Sequence, residues 1–83
     1  MVNPEELNKK VREEEEKLRQ LRSIVAVASS VIREGSLSLE EVEKFLECIR
    51  NAALELFPGK EEVYDLIYQP RFRRLITEVY RLP

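Results

Sequence analysis

The apolar positions of the first third of the chain follow one face of a helix. Successive positions of this face are separated by alternating steps of four and three residues, and only one of them, Glu14, is polar. The apolar positions are Leu7, Val11, Leu18, Leu21, Val25, Ala28 and Ile32. This alternation is typical of a helix that packs against another helix along a heptad seam. Asn3 and Pro4 suit a helix start, and Gly35 suits a helix end. The pattern predicts a first helix over about residues 4–34.

The stretch "SLSLEEVEKF" carries the strongest local signal in the chain. Ser38 followed three residues later by Glu41 forms a capping-box pattern, which marks the start of a helix. The predicted apolar face comprises Val42, Phe45, Leu46, Ile49, Ala53 and Leu56. "FPG" at residues 57–59 then ends the pattern, so we predict a second helix over about 39–57.

The last quarter of the chain predicts two short helices, over about 60–68 and 70–81. Pro70 separates them, because proline lacks the N–H that a helix interior needs and its ring clashes with the preceding turn. The residues expected to face inward are Val63, Leu66 and Ile67 in the first piece, and Phe72, Leu75, Ile76 and Val79 in the second.

Together these elements predict an all-α fold, with residues 1–83 as a single domain. The expected arrangement is a small antiparallel helical bundle with a long N-terminal helix, a second medium helix and two short C-terminal helices. By the helical rise, the second helix folded back reaches only to about residue 16 of the first. The segment from Leu7 to Val11 is then covered by the C-terminal helices, by a second copy or by nothing. The seam residues Leu7, Val11, Glu14 and Leu18 are therefore candidates for a dimer interface, and Glu14 either caps the buried region or sets the register of the helix pair.

Composition argues against several kinds of chemistry. The chain has no histidine and one cysteine, Cys48, and we find no catalytic constellation, metal motif or phosphate loop. We therefore expect a non-enzymatic protein without a cofactor or a metal site. The single cysteine rules out an internal disulfide framework, which favours a cytoplasmic location. The apolar stretch 23–32 is too short to span a bilayer, so we expect no membrane partner.

A cationic cluster follows Pro70. Arg71, Arg73 and Arg74 would occupy the first turn of the last helix, where the helix dipole disfavours cations. We expect either nearby carboxylates, namely those of Glu61, Glu62 and Asp65, or an external anion to offset this cost. Tyr64 and Tyr68 are one helical turn apart and, beside Arg71, are candidates for a partner-binding edge.

The expected function is that of a small interaction module, which binds a second copy of itself as a homodimer or binds another protein. The alternative is a nucleic-acid-binding protein whose arginine cluster belongs to a helix-turn-helix-like C-terminal pair. The net charge of -2 weighs against that alternative. The abundance of Glu, Arg and Lys, with little Asn and Gln, is also compatible with a thermophilic source.

Overall fold

A computed structural model describes residues 3–81, which form three helices and, within that range, no strand. They are α1 (Pro4–Glu34), α2 (Leu39–Leu56) and α3 (Glu61–Tyr80). The all-α class is thus confirmed. The predicted count of four helices is wrong, because one helix occupies the whole last quarter of the described chain.

Local capping fixes the ends of α1 and α2. The Asn3 side chain accepts a hydrogen bond of 2.8 Å from the backbone N–H of Glu6. Gly35 ends α1 in the left-handed region at φ 69°, a conformation that costs glycine little. The predicted capping box is present: the Glu41 N–H donates to Ser38 Oγ at 3.1 Å, and the Ser38 N–H donates to the Glu41 carboxylate at 3.0 Å.

The end of α3 lies against the connection between α1 and α2. The Tyr80 hydroxyl donates a hydrogen bond of 2.6 Å to the Leu37 carbonyl. Val79 lies 3.5 Å from the position that a Cβ atom would take on Gly35. Because α3 ends where α1 ends and α2 begins, α3 runs in the direction of α1 and opposite to α2.

The core is built from the facing stripes of the three helices. Its buried members are Leu21, Ala28 and Ile32 of α1, Val42, Leu46 and Ala53 of α2, and Tyr64, Phe72 and Ile76 of α3. Each helix thus contributes three buried side chains, and in α1 they all lie in the second half. Burial of these apolar surfaces is the main force that holds the helices together.

Pro70 lies inside α3 and does not break it. Pro70 has no N–H to donate to the carbonyl of Leu66, but both residues face solvent, where water can bond that carbonyl. The buried stripe of Tyr64, Phe72 and Ile76 keeps helical spacing across the proline, so packing on one continuous face stabilises a single helix. The expected break at this position was therefore wrong.

The buried face of the first half of α3 also differs from the expected one. Val63, Leu66 and Ile67 were predicted to face inward, yet they are 47%, 71% and 49% exposed, whereas Tyr64 is buried. The face is set by Phe72 and Ile76, because a continuous helix extends their stripe back to Tyr64 rather than to its aliphatic neighbours. Three apolar side chains are consequently left on the surface.

Candidate interaction surfaces

The first half of α1 extends beyond the other two helices. Every described residue from Asn3 to Glu16 is exposed, and the first buried residue is Leu21. At a rise of about 1.5 Å per residue, α1 is about 47 Å long, while α2 and α3 are about 27 and 30 Å long. The 55 Å length of a molecule only 22 × 17 Å across reflects this overhang.

Apolar side chains of the predicted seam remain exposed along the overhang. Leu7 is 56% exposed, Val11 47% and Leu18 44%. They share the face of α1 whose continuation, from Leu21 to Ile32, is buried by α2 and α3. The predicted seam residues thus lie together on one surface that residues 3–81 leave uncovered.

Glu14, the polar member of the seam, is exposed and leans along the helix toward Lys17, with 3.7 Å between its carboxylate and the ammonium group. Arg19 and Glu16 form a similar contact at 3.5 Å. Both are weak surface ion pairs at a spacing of three residues. The Glu14 carboxylate is therefore directed to the Lys17 edge of the seam.

An apolar groove opens at the base of the overhang, between the middle of α1, the end of α2 and the start of α3. It has a volume of about 240 Å³. Its lining consists of Leu18, Leu21, Ala53, Leu54, Phe57, Lys60, Val63, Tyr64, Ile67 and Tyr68. The sequence pattern did not predict this groove, although an excess of apolar residues around Val63 was a signal for it. The exposed seam of α1 leads directly into the groove through Leu18.

The two candidate tyrosines both line this groove, but they differ in burial. Tyr64 is 4% exposed and its hydroxyl has no hydrogen-bond partner among the described residues. Burial raises the pKa of that hydroxyl above its ordinary value. Tyr68 is half-buried, with its ring centroid 5.5 Å from that of Tyr64. Tyr64 is therefore mainly a core residue, and Tyr68 is the more accessible of the two.

Arg73 is paired with a carboxylate of α2. Its guanidinium donates to both carboxylate oxygens of Glu43, one of them at 2.8 Å. This hydrogen bonding lowers the pKa of Glu43. We expected Glu61, Glu62 or Asp65 to oppose the arginines, but Asp65 pairs with Arg50 at 2.9 and 3.1 Å. Continuity of α3 places Arg73 beside the first half of α2 rather than beside the start of its own helix.

Arg71 and Arg74 lie on the opposite side of α3 from Arg73, and neither forms a salt bridge within residues 3–81. They border a cleft of about 220 Å³ between α1 and α3, which Arg33 of α1 and the carboxylate-bearing Glu78 of α3 border as well. Arg33 was not among the predicted site residues. All the arginines of the predicted cluster are interior to α3, so the expected cost at a helix start does not arise.

No three His, Cys, Asp or Glu side chains within residues 3–81 converge as a metal site would require. Cys48 is free and exposed on α2. Over the same described range, none of the three helices combines the length and the hydrophobicity of a membrane span.

Comparison of the chain with protein-family models, with curated proteins and with solved structures found no match. The function is therefore inferred from the surfaces of the molecule itself.

Proposed function

We propose that the protein is a non-enzymatic interaction module that self-associates through the exposed seam of α1, defined by Leu7, Val11, Glu14 and Leu18. The observation that carries this proposal is the position of the seam. Its apolar side chains are about half exposed on a helix segment that no other part of the described chain covers. Isolated apolar side chains are ordinary on a surface, but a row at heptad spacing is typical of a helix–helix interface.

The small core supports the same proposal. A chain of 83 residues buries a modest fraction of its surface, and an overhanging helix half gains little from its own domain. Pairing with a second copy buries the seam and stabilises the fold in the same step. Because folding and pairing are coupled in this way, the stability of the folded state depends on the protein concentration.

Sedimentation equilibrium from low to high micromolar concentration tests this function. We expect a dimer whose dissociation constant rises at least tenfold in the double variant Leu7→Ser/Val11→Ser, because two apolar contacts are removed. Val27→Ser is the matched control, since Val27 is also in α1 and is 58% exposed, but lies outside the seam. A wild-type chain that remains monomeric at high micromolar concentration would contradict self-association.

A second candidate function is polyanion binding at the cleft of Arg33, Arg71 and Arg74. The observation that favours it is the contribution of Arg33, which brings cations of two helices to one cleft, where they outnumber the single carboxylate of Glu78 by three to one. A continuous α3 replaces the two short helices of the helix-turn-helix-like pair, so any nucleic-acid contact would use this cleft and the phosphate backbone.

Titration of labelled DNA and RNA at increasing salt tests this second candidate. Association should weaken with salt and should be lost in the triple variant Arg33→Ala/Arg71→Ala/Arg74→Ala. Arg73→Ala is the control, because that guanidinium is already held by Glu43. Absence of salt-dependent binding by the wild-type chain would remove this candidate.

A further inference from the structure

We infer that the apolar groove is filled by the overhanging half of α1 from a second copy, which lies antiparallel to the first with Leu7 of one copy against Leu18 of the other. This inference rests on the proposed self-association, and adds the orientation of the two chains, their register and the occupant of the groove.

The charge on the seam selects the antiparallel orientation. In a parallel, in-register pair, Glu14 of one copy would face Glu14 of the other, and two carboxylates would meet in the apolar layer. The seam spacing of four, three and four residues reads the same in both directions. An antiparallel second copy therefore matches Leu7 to Leu18 and Val11 to Glu14, and the two carboxylates are separated.

The edge of the seam supplies the counterions for Glu14. Lys10 and Lys17 are one heptad apart, so they lie on the same edge, and a two-fold axis brings this edge against the same edge of the second copy. The Glu14 carboxylate already leans toward Lys17. In the antiparallel pair, Lys10 of the second copy reaches it from the other side. Glu14 thereby separates two ammonium groups that would otherwise repel each other.

The covered half of α1 sets the register. An overlap longer by one heptad would place Leu7 and Val11 of the second copy against Val25 and Leu21, where α2 and α3 already pack. A shorter overlap would leave Leu18 and the groove uncovered. Among heptad-spaced registers, the one that matches Leu7 to Leu18 is the longest that keeps Leu7 and Val11 of the second copy clear of Leu21 and Val25. It places Leu7 of the second copy at the mouth of the groove.

The groove and the overhang form one self-complementary surface, as a two-fold interface requires. Each copy contributes an apolar projection, Leu7 and Val11, and an apolar recess that includes Leu54, Phe57 and Ile67. Two copies therefore close both recesses at once. At each end of the pair, the first half of α1 from one copy packs against the three helices of the other copy, so that four helices surround the groove.

Disulfide trapping tests the orientation and the register. In a Cys48→Ser background, Leu7→Cys protein and Leu18→Cys protein are prepared separately, then mixed and oxidised. The mixture should give a covalent dimer, whereas each protein alone should give little, because equivalent positions lie far apart along an antiparallel pair. A mixture of Leu7→Cys and Val27→Cys proteins is the control. Sedimentation of the reduced proteins verifies that each still dimerises.

Groove occupancy is tested by a substitution outside α1. Ile67→Glu places a charge in the groove and should raise the dimer dissociation constant at least tenfold. Leu66→Glu should leave it within about twofold, because Leu66 is 71% exposed and does not line the groove. Circular dichroism of both variants separates loss of folding from loss of association.

The possible outcomes distinguish failure of the dimer geometry from failure of self-association itself. Efficient oxidation of Leu7→Cys protein alone would indicate a parallel pair, and would overturn the inference while self-association stands. A dimer that is unaffected by Ile67→Glu would likewise overturn groove occupancy alone. A wild-type chain that never dimerises would overturn both.

Discussion

Individual side chains fix the helix ends and the contacts between helices. Asn3, Ser38 and Glu41 bond the free N–H groups at the starts of α1 and α2. Tyr80 joins the end of α3 to the α1–α2 connection through the Leu37 carbonyl. These contacts define where α1 and α2 begin and hold the end of α3 against the α1–α2 connection.

Tyr64 offers a test at the scale of one hydroxyl group. Its ring is buried in the core, and its hydroxyl has no partner among residues 3–81. Because an unpaired buried hydroxyl opposes folding, Tyr64→Phe should raise the free energy of unfolding by about 1 kcal/mol. The substitution is made in the double variant Leu7→Ser/Val11→Ser, so that dimerisation does not contribute to the measured stability. Urea denaturation then measures the change in the free energy of unfolding.

Tyr80→Phe is the matched control for that experiment. It deletes a hydroxyl that donates to Leu37, so it should lower the free energy of unfolding by roughly 1 kcal/mol. Loss of stability in Tyr64→Phe would contradict the expectation, because it would show that the Tyr64 hydroxyl is hydrogen-bonded in the folded protein.

At the scale of elements, α3 shows how packing outweighs a local signal. Pro70 removes one helical hydrogen bond, yet three buried side chains on one face keep the segment from Glu61 to Tyr80 in a single helix. The sequence contained the necessary pattern, because Tyr64, Tyr68, Phe72 and Ile76 are each four residues apart. The proline and the more strongly apolar neighbours of Tyr64 obscured it.

Replacement of Pro70 tests the continuity of α3. Pro70→Ala restores the N–H that can bond the Leu66 carbonyl and removes the clash of the ring, so it should stabilise the protein by roughly 1 to 3 kcal/mol. Arg71→Ala, at the next exposed position, should change the free energy of unfolding by less than about 0.5 kcal/mol. If Pro70→Ala were destabilising, the proline would be part of the packing of α3 rather than a tolerated defect.

At the scale of the whole molecule, three carboxylates link stability to pH. Hydrogen bonds from Ser38, Arg73 and Arg50 lower the pKa values of Glu41, Glu43 and Asp65 respectively. Because each pKa is lower in the folded state, the unfolded chain binds more protons in the acid range. The stabilisation is present above the ordinary carboxyl range, and it is lost as the pH falls through about 4.5 and below.

Thermal denaturation between pH 3 and pH 8 checks this dependence. We expect the melting temperature to be nearly constant between about pH 6 and 8, since the chain has no histidine, and to fall below about pH 5. Glu43→Gln should reduce the size of the acid-induced fall. A transition centred near neutral pH would contradict this assignment.

The sequence by itself determined the elements that depend on neighbouring residues. The bounds of α1 and α2 follow from Asn3, Gly35 and the Ser38–Glu41 capping box, because capping bonds connect residues only three or four positions apart. The heptad spacing also identified the seam of α1, and the length of the second predicted helix indicated that the seam would be under-covered.

Tertiary structure decided the features that join distant parts of the chain. The buried face of α3 depends on where Phe72 and Ile76 meet the other helices, and the partner of Arg73 is Glu43, thirty residues away. The groove exists because α2 ends and α3 begins beside the middle of α1. The spacing of residues along one helix contains no information about which helices become its neighbours. The groove and the cleft that Arg33 borders are therefore formed only by the packing of the three helices.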